Sequence, residues 1–206
     1  MARMVHIHPD SPQPRRIAEA VAALRAGGLL AYPTDSSYAL GCHIGDKRAM
    51  DAIRRIRRTD KDHNFTLVCR DLSEIGLYAR IDNWAYRLLR AHTPGAYTFI
   101  LPATREVPKR LQHPRRRTIG IRVPDSRIVD AMLAALGEPI MSSTLLLPGD
   151  NRPLTDADEV QDRIGHQIDV VIEGGATGIE PTSVIDLSGD EVRVLRAGRG
   201  DVGVFQ

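Results

Sequence analysis

The sequence predicts an α/β (α+β) domain: a twisted mixed sheet flanked by helices. Three observations carry this expectation. Apolar runs of strand length alternate with stretches of helical period, the last two runs lie close enough to form a hairpin, and neither a repeat nor a flexible linker divides the 206 residues. A chain of this size buries roughly 70% of its unfolded surface, so a single domain over 1–206 is expected.

After Pro9, Pro12 and Pro14, the residues Ile17, Ala20, Val21 and Leu24 recur at helical spacing and Gly27-Gly28 ends the run. Leu29 to Tyr32 reads as a short strand running into the polar turn Pro33-Thr34-Asp35-Ser36-Ser37. From Asp46 a second helix carries Met50, Ile53 and Ile56 on one face and Arg54, Arg55, Arg57 and Arg58 on the rest. Phe65 to Cys69 is strand-like, Leu72 to Ala79 and Asn83 to Ala91 helical, and Ala96 to Leu101 and Thr118 to Val123 are strands around a basic loop. Ser126 to Leu136 is an amphipathic helix, Pro139 to Thr144 a strand, Asp156 to Ile164 a helix and Val170 to Ile172 a buried strand. Thr182 to Leu187 and Glu191 to Leu195 form a hairpin about Ser188-Gly189-Asp190.

Composition excludes several function classes. No apolar run approaches the length of a membrane span, and the N-terminus lacks the apolar block of a secretory signal, so a cytoplasmic protein with no membrane partner is expected. Cys42 and Cys69 are not in CxxC spacing and provide neither a disulfide framework nor a zinc ribbon; buried thiols are expected. Only 3 Phe, 1 Trp and 5 Tyr are present, so the core must be aliphatic and contact with nucleic acid must act mainly through charge. Overall charge is balanced, with 28 Lys+Arg against 26 Asp+Glu, but it is unevenly placed. Arg54, Arg55, Arg57, Arg58 and Lys61 form one basic block; Lys109, Arg110, Arg115, Arg116 and Arg117 form another, a distribution suited to polyphosphate or RNA backbone.

Motifs of covalent and cofactor chemistry are missing. There is no Walker A sequence, GxSxG elbow or HExxH, and His6 and His8, alternating on what reads as an edge strand, have no third partner, so no protein-bound metal is expected. Gly198 to Gly203 fits GxGxxG but has no helix to open, so a dinucleotide site is rejected. What remains is a set of hydroxyl-rich turns punctuated by arginines: YPTDSSYALGC, PGAYTFIL, TIGIRVP, IMSSTLLLPG, PTSVIDL and VLRAG. Short hydroxyls beside guanidinium forks suit recognition of carboxylate and phosphate groups.

In that order, and over nearly the whole chain from about Ile7 to Gly203, these segments resemble the YrdC-like family, nearest to its YciO branch. The resemblance implies a wide, positively charged cavity on the sheet. It also implies a threonylcarbamoyl-AMP synthase-like chemistry, in which L-threonine, bicarbonate and ATP condense with release of pyrophosphate on the way to modified tRNA. Carried over by position, Thr34, Tyr38, Arg122, Ser142 and Ser183 would line the threonine side. Arg57, Lys61, Thr144 and Arg196 would meet the nucleotide, ATP or AMP, with Mg²⁺ arriving on ATP. Arg122 would pair with an amino-acid carboxylate and Arg196 with a phosphate.

Two departures stand out. The Lys-x-Arg motif of synthases aligns with Arg57-Arg58-Thr59, and their Ser-x-Asn motif with Thr144-Leu145-Leu146. Thr59 cannot replace an arginine, and Leu146 removes an amide donor and acceptor, so ATP activation is expected to be weakened or lost, unless the neighbouring basic residues Arg58 and Lys61 compensate. The other reading is a tRNA or double-stranded RNA binder. In it Arg54, Arg55, Arg58, Arg115, Arg116 and Arg117 hold the backbone, and the pocket reads or hydrolyses a threonylcarbamoyl group already on tRNA.

Overall fold

The computed structural model describes residues 1–59 and 64–205. Strand β1 (Arg3–His6) is followed by helix α1 (Pro14–Arg25), which opens on Pro14, where a missing N–H costs nothing. Strands β2 (Leu30–Pro33) and β3 (Tyr38–His43) pair antiparallel around the polar turn. Helix α2 (Lys47–Arg57) is capped by Asp46, whose carboxylate accepts the Ala49 N–H at 3.0 Å, and ends on Arg58 in the left-handed region at φ 48°. There follow β4 (Thr66–Val68), α3 (Leu72–Tyr78), α4 (Asn83–His92), β5 (Tyr97–Pro102), β6 (Thr118–Arg122) and α5 (Arg127–Leu136), the last capped by Ser126. Strand β7 (Ile140–Thr144), α6 (Ala157–Ile164) with Asp156 as its cap, β8 (Val170–Glu173), β9 (Ser183–Asp186) and β10 (Arg193–Arg196) complete the chain.

The strands form one mixed sheet in the order β1-β8-β2-β3-β7-β4-β6-β5-β9-β10. Its pairs β1/β8, β2/β8, β4/β6 and β5/β9 are parallel, and the remaining pairs are antiparallel. The α/β (α+β) expectation is therefore met. On one face α2, α3, α4 and α6 bury Met50, Ile53, Ile75, Leu89 and Val160 against Leu40, Leu67, Phe99, Ile121 and Met141. On the other, α1 and α5 pack together over β1, β8, β2, β3 and β7, with Leu24 and Met132 against Leu30, Tyr32, Ile140 and Ile172.

That second core takes no residue from β5, β6 or β9. The two-helix layer therefore covers only part of its face, and over β4, β6 and β5 that face carries Thr66, Thr98, Gly120 and Arg122 interspersed with Val68 and Ile100.

Two sequence expectations need correction or extension. Residues 38–43 form a strand that the residue pattern did not announce, because five of its six residues are buried and no alternation appears. The glycines of 198–203 follow β10 and lead into a 3-10 turn at Gly203–Phe205; a Cβ on Gly198 would overlap the Pro181 carbonyl and one on Gly200 the Tyr97 ring, so both are required by chain packing.

Gly41 has a comparable role. A Cβ there would stand 2.7 Å from Cε1 of Tyr32 and 2.9 Å from Cγ2 of Ile140, so the glycine lets the Tyr32 ring lie across β3. Gly41→Ala should destabilise the protein by about 1–3 kcal/mol through overpacking, read as a lowered thermal midpoint. An unchanged midpoint would mean that the ring has room to move.

Candidate functional site

The part of the sheet outside the α1/α5 layer carries short, mostly buried hydroxyls beside Val68 and Ile100. In the register across the strands Gly41, Ser142, Thr66 and Gly120 lie side by side. A Cβ on Gly120 would be 3.3 Å from both Thr66 Oγ1 and Thr98 Cγ2, so those two threonines flank the glycine on this face. Ser142 shares a 2.8 Å hydrogen bond with the Tyr32 hydroxyl, and Thr98 another of 2.8 Å with Thr182. Burial pushes the Tyr32 hydroxyl up to about 12, although the Ser142 bond and the Arg122 charge pull it down; it is a neutral phenol at physiological pH and no general base.

Arg122 ends β6 at the edge of this face, with 8% of its surface exposed. Its Nη2 donates to Oδ1 of Asp35, its Nη1 lies 3.4 Å from Ser36 Oγ, and its Nε is buried with no partner among the described residues. The turn between β2 and β3 that supplies Asp35 and Ser36 is pinned by Thr34. Thr34 Oγ1 donates to the Ser37 carbonyl at 2.7 Å and accepts the Ser36 and Ser37 N–H groups at 3.2 and 3.3 Å. Asp35 is tied on its far side as well, its Oδ2 accepting the Asp125 N–H at 2.9 Å.

Thr34 and Arg122 thus stand together through Ser36, and Ser142 lies on the same face, bonded to Tyr32. Two others of the set that the resemblance implied are placed differently. Tyr38 is fully buried in the four-helix core, its hydroxyl donating to the Ile172 carbonyl at 2.9 Å. Ser183 is also wholly buried. It is in register with Tyr97 on the side away from Thr98, where it donates to the Gly200 carbonyl and accepts the Gly198 N–H at 2.9 Å. The adjacent Thr182 is the residue that reaches the hydroxyl face, and sequence alone could not separate the two without the strand register.

Arg57 reaches from the end of α2 to Ser143 Oγ and, at 3.3 Å, to the Leu146 carbonyl. The guanidinium is thereby engaged with the segment 143–146, and burial lowers its pKa. Thr144 lies half-buried at the end of β7, on the side of Ser142. Lys61 lies outside the described residues. Arg196 directs Nε and Nη2 at the Thr182 carbonyl, at 2.9 and 2.7 Å, so it braces the loop that carries Thr182; burial lowers its pKa too.

Among the described residues the two basic blocks, some fifty residues apart in sequence, touch at Arg110 alone and otherwise line separate clefts. Lys47, Arg54, Arg55, Arg58 and Arg110 line one cleft of about 920 Å³. A second, of about 890 Å³, takes Arg80, Arg105, Lys109, Arg116 and Arg117. Not every arginine is available to a ligand: Arg54 pairs with Asp51 at 3.2 Å and stands over the Phe65 ring, and Arg116 pairs with the barely exposed Asp186 at 3.2 Å. Arg55, Arg58, Arg115 and Arg117 are exposed. Elsewhere Cys42 and Cys69 are buried thiols, and burial pushes both pKa values up. His6 pairs with Glu173 at 3.1 Å, whereas the His8 ring accepts the Asp10 and Ser11 N–H groups. Among the described residues no helix is long and apolar enough to cross a membrane, and no three His, Cys, Asp or Glu side chains gather as metal ligands would.

Residues 22–198 match the family model for Sua5, YciO and YrdC proteins, described as telomere recombination. The chain is 53% identical over 205 residues to YciO of Escherichia coli, each covering the whole of the other, and the crystal structure of E. coli YciO superposes with a TM-score of 0.96. It is 30% identical over 184 residues to threonylcarbamoyl-AMP synthase of Halorhodospira halophila, covering 86% of this chain and 93% of that one. The structure of Pyrococcus abyssi Sua5 complexed with L-threonine matches at a TM-score of 0.87 and 25% identity, over 95% of this chain and 57% of the other.

Proposed function

The chain belongs to the Sua5, YciO and YrdC family, and from that membership we propose that it binds L-threonine or a threonine-derived group on the hydroxyl face, with the carboxylate at Arg122. The observation that carries this reading is the buried Nε of Arg122 beside Ser36 and the Thr34 turn, a charged donor with no partner among the described residues. A carboxylate is the ligand that such a guanidinium takes best. The P. abyssi complex with L-threonine supports the ligand class.

The chemistry proposed is threonylcarbamoyl-AMP synthase-like, in the cytoplasm, with bicarbonate and ATP as co-substrates. The threonine amine would form an N–C bond with bicarbonate carbon as water leaves. A carbamate oxygen would then bond to the α-phosphorus of ATP as the bond to pyrophosphate breaks, with Mg²⁺ on the phosphates. Catalysis here is by position and charge, since among the described residues no nucleophile paired with a general base lies on the hydroxyl face. Arg57, Thr144 and Arg196 are the described groups from which nucleotide contacts would come, with Lys61 as a further candidate. With Arg57 turned onto Ser143 and Leu146 in place of an amide, activation of ATP should be slow. An assay following labelled bicarbonate into threonylcarbamoyl-AMP beside pyrophosphate release tests this: threonine-dependent label at a low rate is expected, and fast turnover would overturn the assignment of the altered motifs.

A second reading, an RNA-directed protein acting on a threonylcarbamoyl group of tRNA, is favoured by two arginine-lined clefts, one of which brings Arg110 beside Arg54, Arg55 and Arg58. Arg115→Glu with Arg117→Glu should then reduce the salt dependence of tRNA binding by about two contacts' worth and leave L-threonine affinity unchanged. Arg116 is left out because its reversal would set a carboxylate against Asp186. Equal damage to both ligands would remove the two-surface picture.

A further inference from the structure

The guanidinium that would receive a ligand carboxylate holds one from its own chain. The side chains of Arg122 and Asp35 are 10% and 11% exposed, so this ion pair is screened little by water. The pair is incomplete, however. Asp35 offers only Oδ1 to the guanidinium, Oδ2 being committed to the Asp125 N–H at 2.9 Å, and Nε of Arg122 is buried without a partner among the described residues. A saturating carboxylate would take two donors in parallel; Asp35 takes one and leaves a second unused.

We propose that Asp35 is an internal latch on Arg122. A ligand carboxylate enters by displacing Oδ1 from Nη2 and takes Nη2 together with the buried, unpartnered Nε as a fork. Displacement breaks one charge-assisted bond, and Asp35 is left still hydrogen-bonded through Asp125, so the released carboxylate has a partner. Asp35 is in this sense a residue that sets affinity for anionic ligands. Because only the unlatched fraction binds, apparent affinity is lowered by that fraction, and a latch closed nine-tenths of the time weakens binding about tenfold. The inference rests on the reading that Arg122 is the carboxylate-binding group.

Asp35→Asn tests it, since the amide oxygen still accepts from Asp125 while the charge is gone; Asp35→Ser removes the carboxylate by a different side chain and guards against a folding defect in the first variant. Two probes separate the latch from the threonine reading. Sodium formate is titrated while the Arg122 Nε–H resonance is followed by NMR, and L-threonine is titrated by calorimetry. Formate should move that resonance at about tenfold lower concentration in both variants than in the wild type. If it does so while L-threonine binds none of the three proteins, the latch stands and the threonine reading falls. If formate acts at the same or higher concentration in the variants, or never moves the resonance, the latch is overturned, whatever L-threonine does. Weaker L-threonine binding in the variants, with formate also no tighter, would assign Asp35 to a ligand ammonium instead.

Discussion

Arg122→Lys should weaken L-threonine binding by about 10- to 100-fold while leaving the protein folded. The lysine keeps a positive charge near Asp35 but presents a point donor where the site has a planar fork, and bidentate recognition of a carboxylate depends on that plane. Arg122→Ala is the harsher change. It would leave the Asp35 charge, only 11% exposed, with no cation and the Asp125 N–H as its remaining partner, and removing one partner of such a buried pair costs about 3–5 kcal/mol. Loss of binding in the alanine variant would therefore mix a site effect with a stability effect. The lysine variant separates them: an unchanged thermal midpoint with weakened calorimetric affinity is the expected outcome, and unchanged affinity would move the carboxylate away from β6.

Restoring the synthase-type residues should raise ATP-dependent turnover by about 10²- to 10³-fold, the usual worth of a positioned transition-state donor. The double substitution Leu146→Asn, Thr59→Arg is suited to the fold. The backbone at 146 is held independently of its side chain, its N–H donating to the Thr144 carbonyl at 3.0 Å and its carbonyl accepting from Arg57. The Thr59 N–H closes on the Arg54 carbonyl at 3.1 Å just after the left-handed Arg58, so the helix end is also set by the main chain. An amide at 146 and a guanidinium at 59 would then supply the donors that the chain lacks. Pyrophosphate release in the presence of threonine and bicarbonate is the readout. If the double variant is no faster than the wild type, the slow step does not depend on those two positions.

What could be read from the chain itself depended on how local the determining forces were. Helices α2 and α5 were legible because Asp46 and Ser126 announce their starts and the apolar residues fall on one face. Strand β3 was hidden because burial on both sides erases the alternation that marks a half-buried strand. At the site, the hydroxyl turns and Arg122 stood out by residue type. Their partners did not, because Asp35 meets Arg122 from 87 residues away and only the sheet order brings the β2–β3 turn to the end of β6. Ser183 and Thr182 show the same limit on a smaller scale. They are neighbours in sequence, yet the register of β9 sends one beneath the strand and the other onto the hydroxyl face. Likewise, the charge runs were visible, but which arginines are already committed to Asp51 or Asp186 follows from packing.

The most direct measurement is a crystal structure of the protein soaked with L-threonine at saturating concentration. The expected result is density for the amino acid over Ser142 and Thr66, with its carboxylate within hydrogen-bond distance of Arg122 Nε and Nη2 and Asp35 drawn back toward Asp125. Density elsewhere, or an empty hydroxyl face with the Arg122–Asp35 pair unchanged, would contradict the assignment of this part of the sheet as the threonine site.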